Sequence, residues 1–178
     1  MKKIIVSGFV LGALIASSQF AMAANGTITI NGMVTSSTCD ISSSGGGKDF
    51  TVTLPTVATS ALAAAGQTAG RTPFSIMLAN CTPGAGNVHT FFEPGATTDA
   101  STGNLVVAGG GAANVQIGLL NSDLTPIKAG FDDASQNSHI VALNSGSAEL
   151  PYYAEYHATG AATAGPAVTS VMYTISYN

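Results

Sequence analysis

A chain of 178 residues, 46% hydrophobic and only 8% charged, is long enough for one domain with a substantial core, and its polarity comes from Thr, Ser, Asn and Gly rather than from charge. The formal net charge of −4 leaves nothing to attract nucleic acid or an anionic lipid surface. Two cysteines offer too few ligands for a zinc site, and their wide spacing excludes a CxxC redox centre.

Residues 1–23 read as a secretory signal peptide. Lys2 and Lys3 form a positive start, Ile4 to Ile15 is a short apolar run, and Ala21-Met22-Ala23 is a small-residue cleavage site. No later run reaches the roughly 18 apolar residues of a transmembrane helix. The mature chain is expected to begin at Ala24. Lys48, Arg71 and Lys128 then face nine acidic residues, a net charge of −6.

The next stretch, ANGTITINGMVTSSTC over residues 24–39, alternates with a period of two. Ile28, Ile30, Gly32 and Val34 share one face, and Thr27, Thr29, Asn31 and Met33 the other. That is the pattern of a half-buried strand, yet it stands at the end of a chain, where segments fray unless something holds them. Cys39 and Cys81 follow in an exported chain and read as one disulfide formed in an oxidising compartment, closing a loop worth about 4 kcal/mol in the chain-entropy model.

Strand signals dominate from there on. They fall at 50–54, 72–80, 88–93, 104–107, 114–121, 138–144, 149–158 and 168–177, separated by turn clusters such as SSSGGGKD, CTPGAGN and NSGS. SALAAAGQ at 60–67 reads as a helical turn, with Ser60 as its cap and Gly66 as its end. Many short strands with frequent turns point to an all-β sandwich.

Chemistry is hard to find. His89, His139 and His157 lie on different predicted strands without metal-ligand spacing and read as ordinary strand-face residues, so no metal site is expected. NSGSAE at 144–149 lacks the GxSxG elbow and reads as a hairpin turn. Asp132 and Asp133 are adjacent, a poor acid/base pair and a natural loop. The glycine triplets at 45–47 and 109–111 lack the Lys-Ser/Thr of a phosphate loop. Glu155, alternating with Tyr153, reads as a solvent-face residue. No residue argues for catalysis, and no cofactor is implied.

The last strand alternates as strictly as the first. Val171, Tyr173, Ile175 and Tyr177 share one face, and Met172, Thr174 and Ser176 the other. A leader, ITINGMV a few residues before Cys39, a second cysteine at 81, NVQIGLLN, and a closing YYAEYHATGAATAG with YTISYN together resemble a chaperone–usher pilin of the type 1 kind. TPFSIMLANC, FFEPGATTDASTGNL and HATGAATAG are most similar to the major shaft subunit of fimbriae whose tip adhesin binds N-acetylglucosamine. The resemblance covers the whole chain.

The resemblance implies an incomplete immunoglobulin-like sandwich over 37–178 that lacks its last strand. Residues 24–36 would then be a donor strand for a neighbouring subunit, seating Ile28, Ile30, Gly32 and Val34 beside an acceptor strand bearing Val171, Tyr173, Ile175 and Tyr177. It implies further a periplasmic chaperone that fills the groove before assembly, an outer-membrane usher, identical or related subunits as partners, a tip adhesin at the filament end, and a place on the cell surface.

Overall fold

The computed structural model describes Thr29, Val34 and residues 36–178. The chain divides into two units, Met1–Val34 and Thr35–Asn178. The leader and, within the donor strand, Ile28, Ile30 and Gly32 lie outside the described residues. The second unit carries the fold.

Nine strands run through it: β1 (Thr38–Ser43), β2 (Thr68–Thr82), β3 (Asn87–Phe92), β4 (Leu105–Val106), β5 (Val115–Asn121), β6 (Pro126–Ile127), β7 (Val141–Ala142), β8 (Ala148–Ala158) and β9 (Tyr173–Tyr177). They form two sheets, one ordered β1-β2-β8-β5-β4 with β6 also on β5, the other β7-β3-β9. Every described ladder is antiparallel.

The period of two decides which residues enter the core. β8 sends Leu150, Tyr152 and Ala154 inward, β2 sends Ile76 and Leu78, and β5 sends Ile117 and Leu119; Val88, Phe92 and Ile175 meet them from the second sheet. The rings of Phe92 and Tyr152 stand edge to face across the gap with centroids 5.4 Å apart. Cys39 and Cys81 are bonded and staple β1 to β2. Pro73 and Pro151 sit inside strands only where a neighbour is missing: β1 meets β2 from Ile76 onward, and β5 meets β8 from Tyr152 onward.

Several sequence expectations are corrected. The turn near residue 60 is a single 3-10 turn, Thr59–Leu62, whose cap position is Ala58 with no side-chain bond, so Ser60 caps nothing; Leu62 is buried beneath it. Asp133 opens a short helix, α1 (Asp133–Gln136), instead of lying in a plain loop. That turn delivers Gln136, fully buried, to the edge of β3: its Oε1 accepts from Phe92 N at 2.6 Å and its Nε2 donates to Phe92 O at 3.0 Å. A side chain thus supplies what a neighbouring strand would.

The segment 50–54 and the first part, 168–172, of the strand expected over 168–177 carry no ladder, and only Tyr173–Tyr177 of the latter is a strand. Both are nonetheless extended and alternate in burial as strands do. Among the described residues, 50–54 lack a backbone partner and 168–172 lack one on one edge.

Candidate functional site: an open groove between two unpaired edges

Those two segments face each other. Between them lies a groove of about 780 Å³, walled by Phe50, Val52 and Leu54 on one side and by Ala167, Thr169, Val171 and Tyr173 on the other. Its floor is the core itself, with Ile76, Phe92, Leu105, Ile117, Leu119 and Ala154 all reaching it. In a finished sandwich a strand would cover them.

The first wall is held almost entirely by side chains. Phe50, Val52 and Leu54 point inward onto the core, while Thr51 and Thr53 point to solvent. Among the described residues, no backbone–backbone hydrogen bond is made by residues 47–57. An extended segment with free N–H and C=O groups on both edges is a template for pairing.

The second wall is half paired. The carbonyls of Val168 and Met172 accept from Ala108 N and Glu93 N, both at 2.8 Å, and Ser170 O accepts from the Thr97 hydroxyl. Asn178, three periods of the pleat beyond Met172, exchanges two bonds with Asn87. Even-numbered residues therefore spend their backbone groups on the body. In an antiparallel strand the intervening residues present theirs to the other edge, so Ala167, Thr169, Val171, Tyr173, Ile175 and Tyr177 offer a free ladder to the groove side. β9 is accordingly the outermost strand of its sheet. The four residues that the sequence places on one acceptor face, Val171, Tyr173, Ile175 and Tyr177, are buried or half-buried against the core, and Met172 and Thr174 point out.

One end of the groove is closed. The Tyr173 hydroxyl donates to Lys48 O at 2.8 Å, and the Tyr173 ring meets Phe50 edge-on at 6.3 Å. Burial, assisted by the charge of Asp49, pushes the Tyr173 phenol above its usual range, so it stays protonated and donating. The other end, at Leu54 and Ala167, has no such bridge. Val34, the one described residue of the expected donor face, is fully exposed, and Thr29 on the opposite face is exposed too.

The remaining candidates serve the scaffold. Glu155 is not on a solvent face: its side chain is buried, and Arg71 Nε donates to its Oε2 at 2.8 Å. His89 is buried between Asp133, 2.7 Å from its Nε2, and the Asn178 amide, 3.1 Å from its Nδ1. His139 lies 3.6 Å from Asp123. No group of three or more His, Cys, Asp or Glu side chains suited to a metal gathers among the described residues.

An immunoglobulin-like sandwich with one strand missing, its core open along two unpaired edges, is the architecture of a pilus subunit. The sequence agrees: residues 54–178 match the family FimA: Type-1 fimbrial protein, A, and the chain belongs to that family of fimbrial subunits. It is 54% identical over 171 residues to the Major fimbrial subunit SMF-1 of Stenotrophomonas maltophilia (strain K279a), covering 93% of this chain and 99% of that one. It is 48% identical over 176 residues to the F17 fimbrial protein of Escherichia coli, covering 95% and 97%. Among solved structures, a type I fimbria protein and antigen of Burkholderia pseudomallei superposes with a TM-score of 0.54 at 26% identity, over 79% of this chain and 97% of the other.

Proposed function

We propose that this chain is the repeating shaft subunit of an adhesive fimbria and polymerises head to tail, residues 24–36 of one copy completing the sandwich of the next. The observation that carries this is the pairing of two unsatisfied edges across an apolar groove. One inserted strand would ladder with 167–173 on one side and 50–54 on the other. Strand addition of this kind takes affinity from main-chain bonds and specificity from alternate side-chain pockets. Because the donor and the groove are different surfaces of one chain, the contact is head to tail, and where such contacts do not close they yield a filament.

Periodicity suggests a register. The groove is level with four inward wall positions, Tyr173, Val171, Thr169 and Ala167, and the donor strand has four in-phase positions. Antiparallel pairing, as in every described ladder, would set Ile28 at Tyr173, Ile30 at Val171, Gly32 at Thr169 and Val34 at Ala167. Burying Ile28, Ile30 and Val34 would contribute roughly 5–9 kcal/mol before entropy. Before assembly the same open core calls for a temporary occupant, which is the part of a periplasmic chaperone. An outer-membrane usher would then pass the subunits outward behind a tip adhesin.

The test is face by face. Ile28→Asp or Ile30→Asp should abolish filament growth while the body still folds, because a carboxylate is costly to desolvate in this groove, whose lining cation Lys48 is already paired with Asp49. Thr29→Asp, one residue away on the solvent face, should be far milder. Equal loss at positions 28, 29 and 30 would remove the donor strand from the mechanism.

A further inference from the structure

Two exposed valines stand at the open end of the groove. Val168, on the groove wall itself, is 64% exposed, and Val106, on β4, is 41% exposed. Backbone and side-chain bonds hold them on adjacent segments: Ala108 N donates to Val168 O, and the Thr169 hydroxyl donates to Val106 O at 2.7 Å. Their backbones are bonded within the subunit, but their side chains are left exposed by it.

We infer that Val168 and Val106 form the seam on which the body of the strand-donating copy rests, an inference that builds on the groove reading above. Chain length makes the argument. With Val34 seated at Ala167, only residues 35–37 remain before Thr38 begins β1 of the donating body. Four residue steps span at most about 14 Å. Val168 is the next residue after Ala167, so the donor's body starts within that reach of it.

Charge permits the contact. A chain with a mature net charge of −6 meets its own copy most easily where charges are missing. Neither 100–122 nor 156–178 contains an Asp, Glu, Lys or Arg, and on the donor side the same is true of 72–92, the span that includes Thr82, the partner of Thr38. Asp40 is the acid nearest the donor's entry, and Asn80 Nδ2 donates to its carboxylate at 2.8 Å. Two apolar side chains at an uncharged meeting point are what a second copy of this chain would cover.

The experiment uses filaments assembled from the full mature chain bearing Val168→Asp or Val106→Asp. Ile140→Asp, at a residue 61% exposed just before β7 and outside all three uncharged spans, is the control. Both seam variants should dissociate in denaturant roughly tenfold faster or more, the equivalent of losing one buried valine, while the control behaves as wild type. Each chain is also refolded with an excess of synthetic peptide of residues 24–36, which brings a strand without a body; all should capture it equally. Unchanged dissociation, or equal acceleration by Ile140→Asp, overturns the seam. Loss of peptide capture by a seam variant overturns it as well, since that would place the valine inside the groove's own binding function. Failure of the wild-type chain to capture the peptide overturns the groove reading and the seam with it.

Discussion

Tyr173 and Lys48 join the two walls of the groove, the phenolic hydroxyl of one donating to the backbone carbonyl of the other at 2.8 Å. It is the one hydrogen bond found among the described residues between the 48–54 wall and the opposite one, and it sits where the donor's Ile28 would seat. Removing it with Tyr173→Phe keeps the ring against Phe50 and costs the empty groove about 1 kcal/mol. Uptake of a 24–36 peptide should therefore be about five times faster in the variant. Because burial holds the phenol protonated, that rate should be flat between pH 5 and 8. A slower uptake in Tyr173→Phe, or a pH step in the wild type, would show that the bond is not a latch.

Gly32 is the only donor-face position without a side chain. Gly32→Leu should stop filament growth by volume rather than charge, and stay blocked at high salt. Filament length by electron microscopy reads this directly.

Arg71→Ala should destabilise the body by about 1–3 kcal/mol, because it leaves the buried Glu155 carboxylate alone; the figure is held below that of a fully buried pair since Arg71 is partly exposed. Arg71→Ala with Glu155→Gln should recover part of the loss. Urea midpoints of four chains, wild type, Arg71→Ala, Glu155→Gln and the double variant, decide the point, and additive losses would mean the two side chains act independently.

Cys39→Ser or Cys81→Ser should cost about 4 kcal/mol by the loop-entropy model and lower the yield of exported subunit. A free-thiol count of zero in the native chain is the companion observation expected from the Cys39–Cys81 bond.

The sandwich was legible because alternation is a strong signal: β3, β5 and β8 fall within a residue of where their periods place them. Alternation also marked 50–54 and 168–172 as strands, and their residues do alternate between half-buried and exposed. Pattern reports which face a residue shows to the core; a ladder needs a neighbour, and among the described residues 50–54 have none and 168–172 have one on a single edge only. The resemblance to pilins supplied the reason that periodicity could not. Glu155 was misplaced because period two distinguishes faces, not their contents: the outer face of β8 buries a carboxylate once Arg71 crosses from the neighbouring strand. Gln136 gave no signal at all, since its role depends on Phe92, 44 residues away.

The central claim is that an inserted strand ladders with both edges of the groove. Amide hydrogen exchange tests it most directly, comparing assembled filaments with the unassembled Ile30→Asp chain. The account predicts that the amides of residues 49–54, and those of Ala167, Thr169 and Val171, exchange freely in the unassembled chain and are protected in the filament by orders of magnitude. Equally fast exchange at these positions in both states would contradict it.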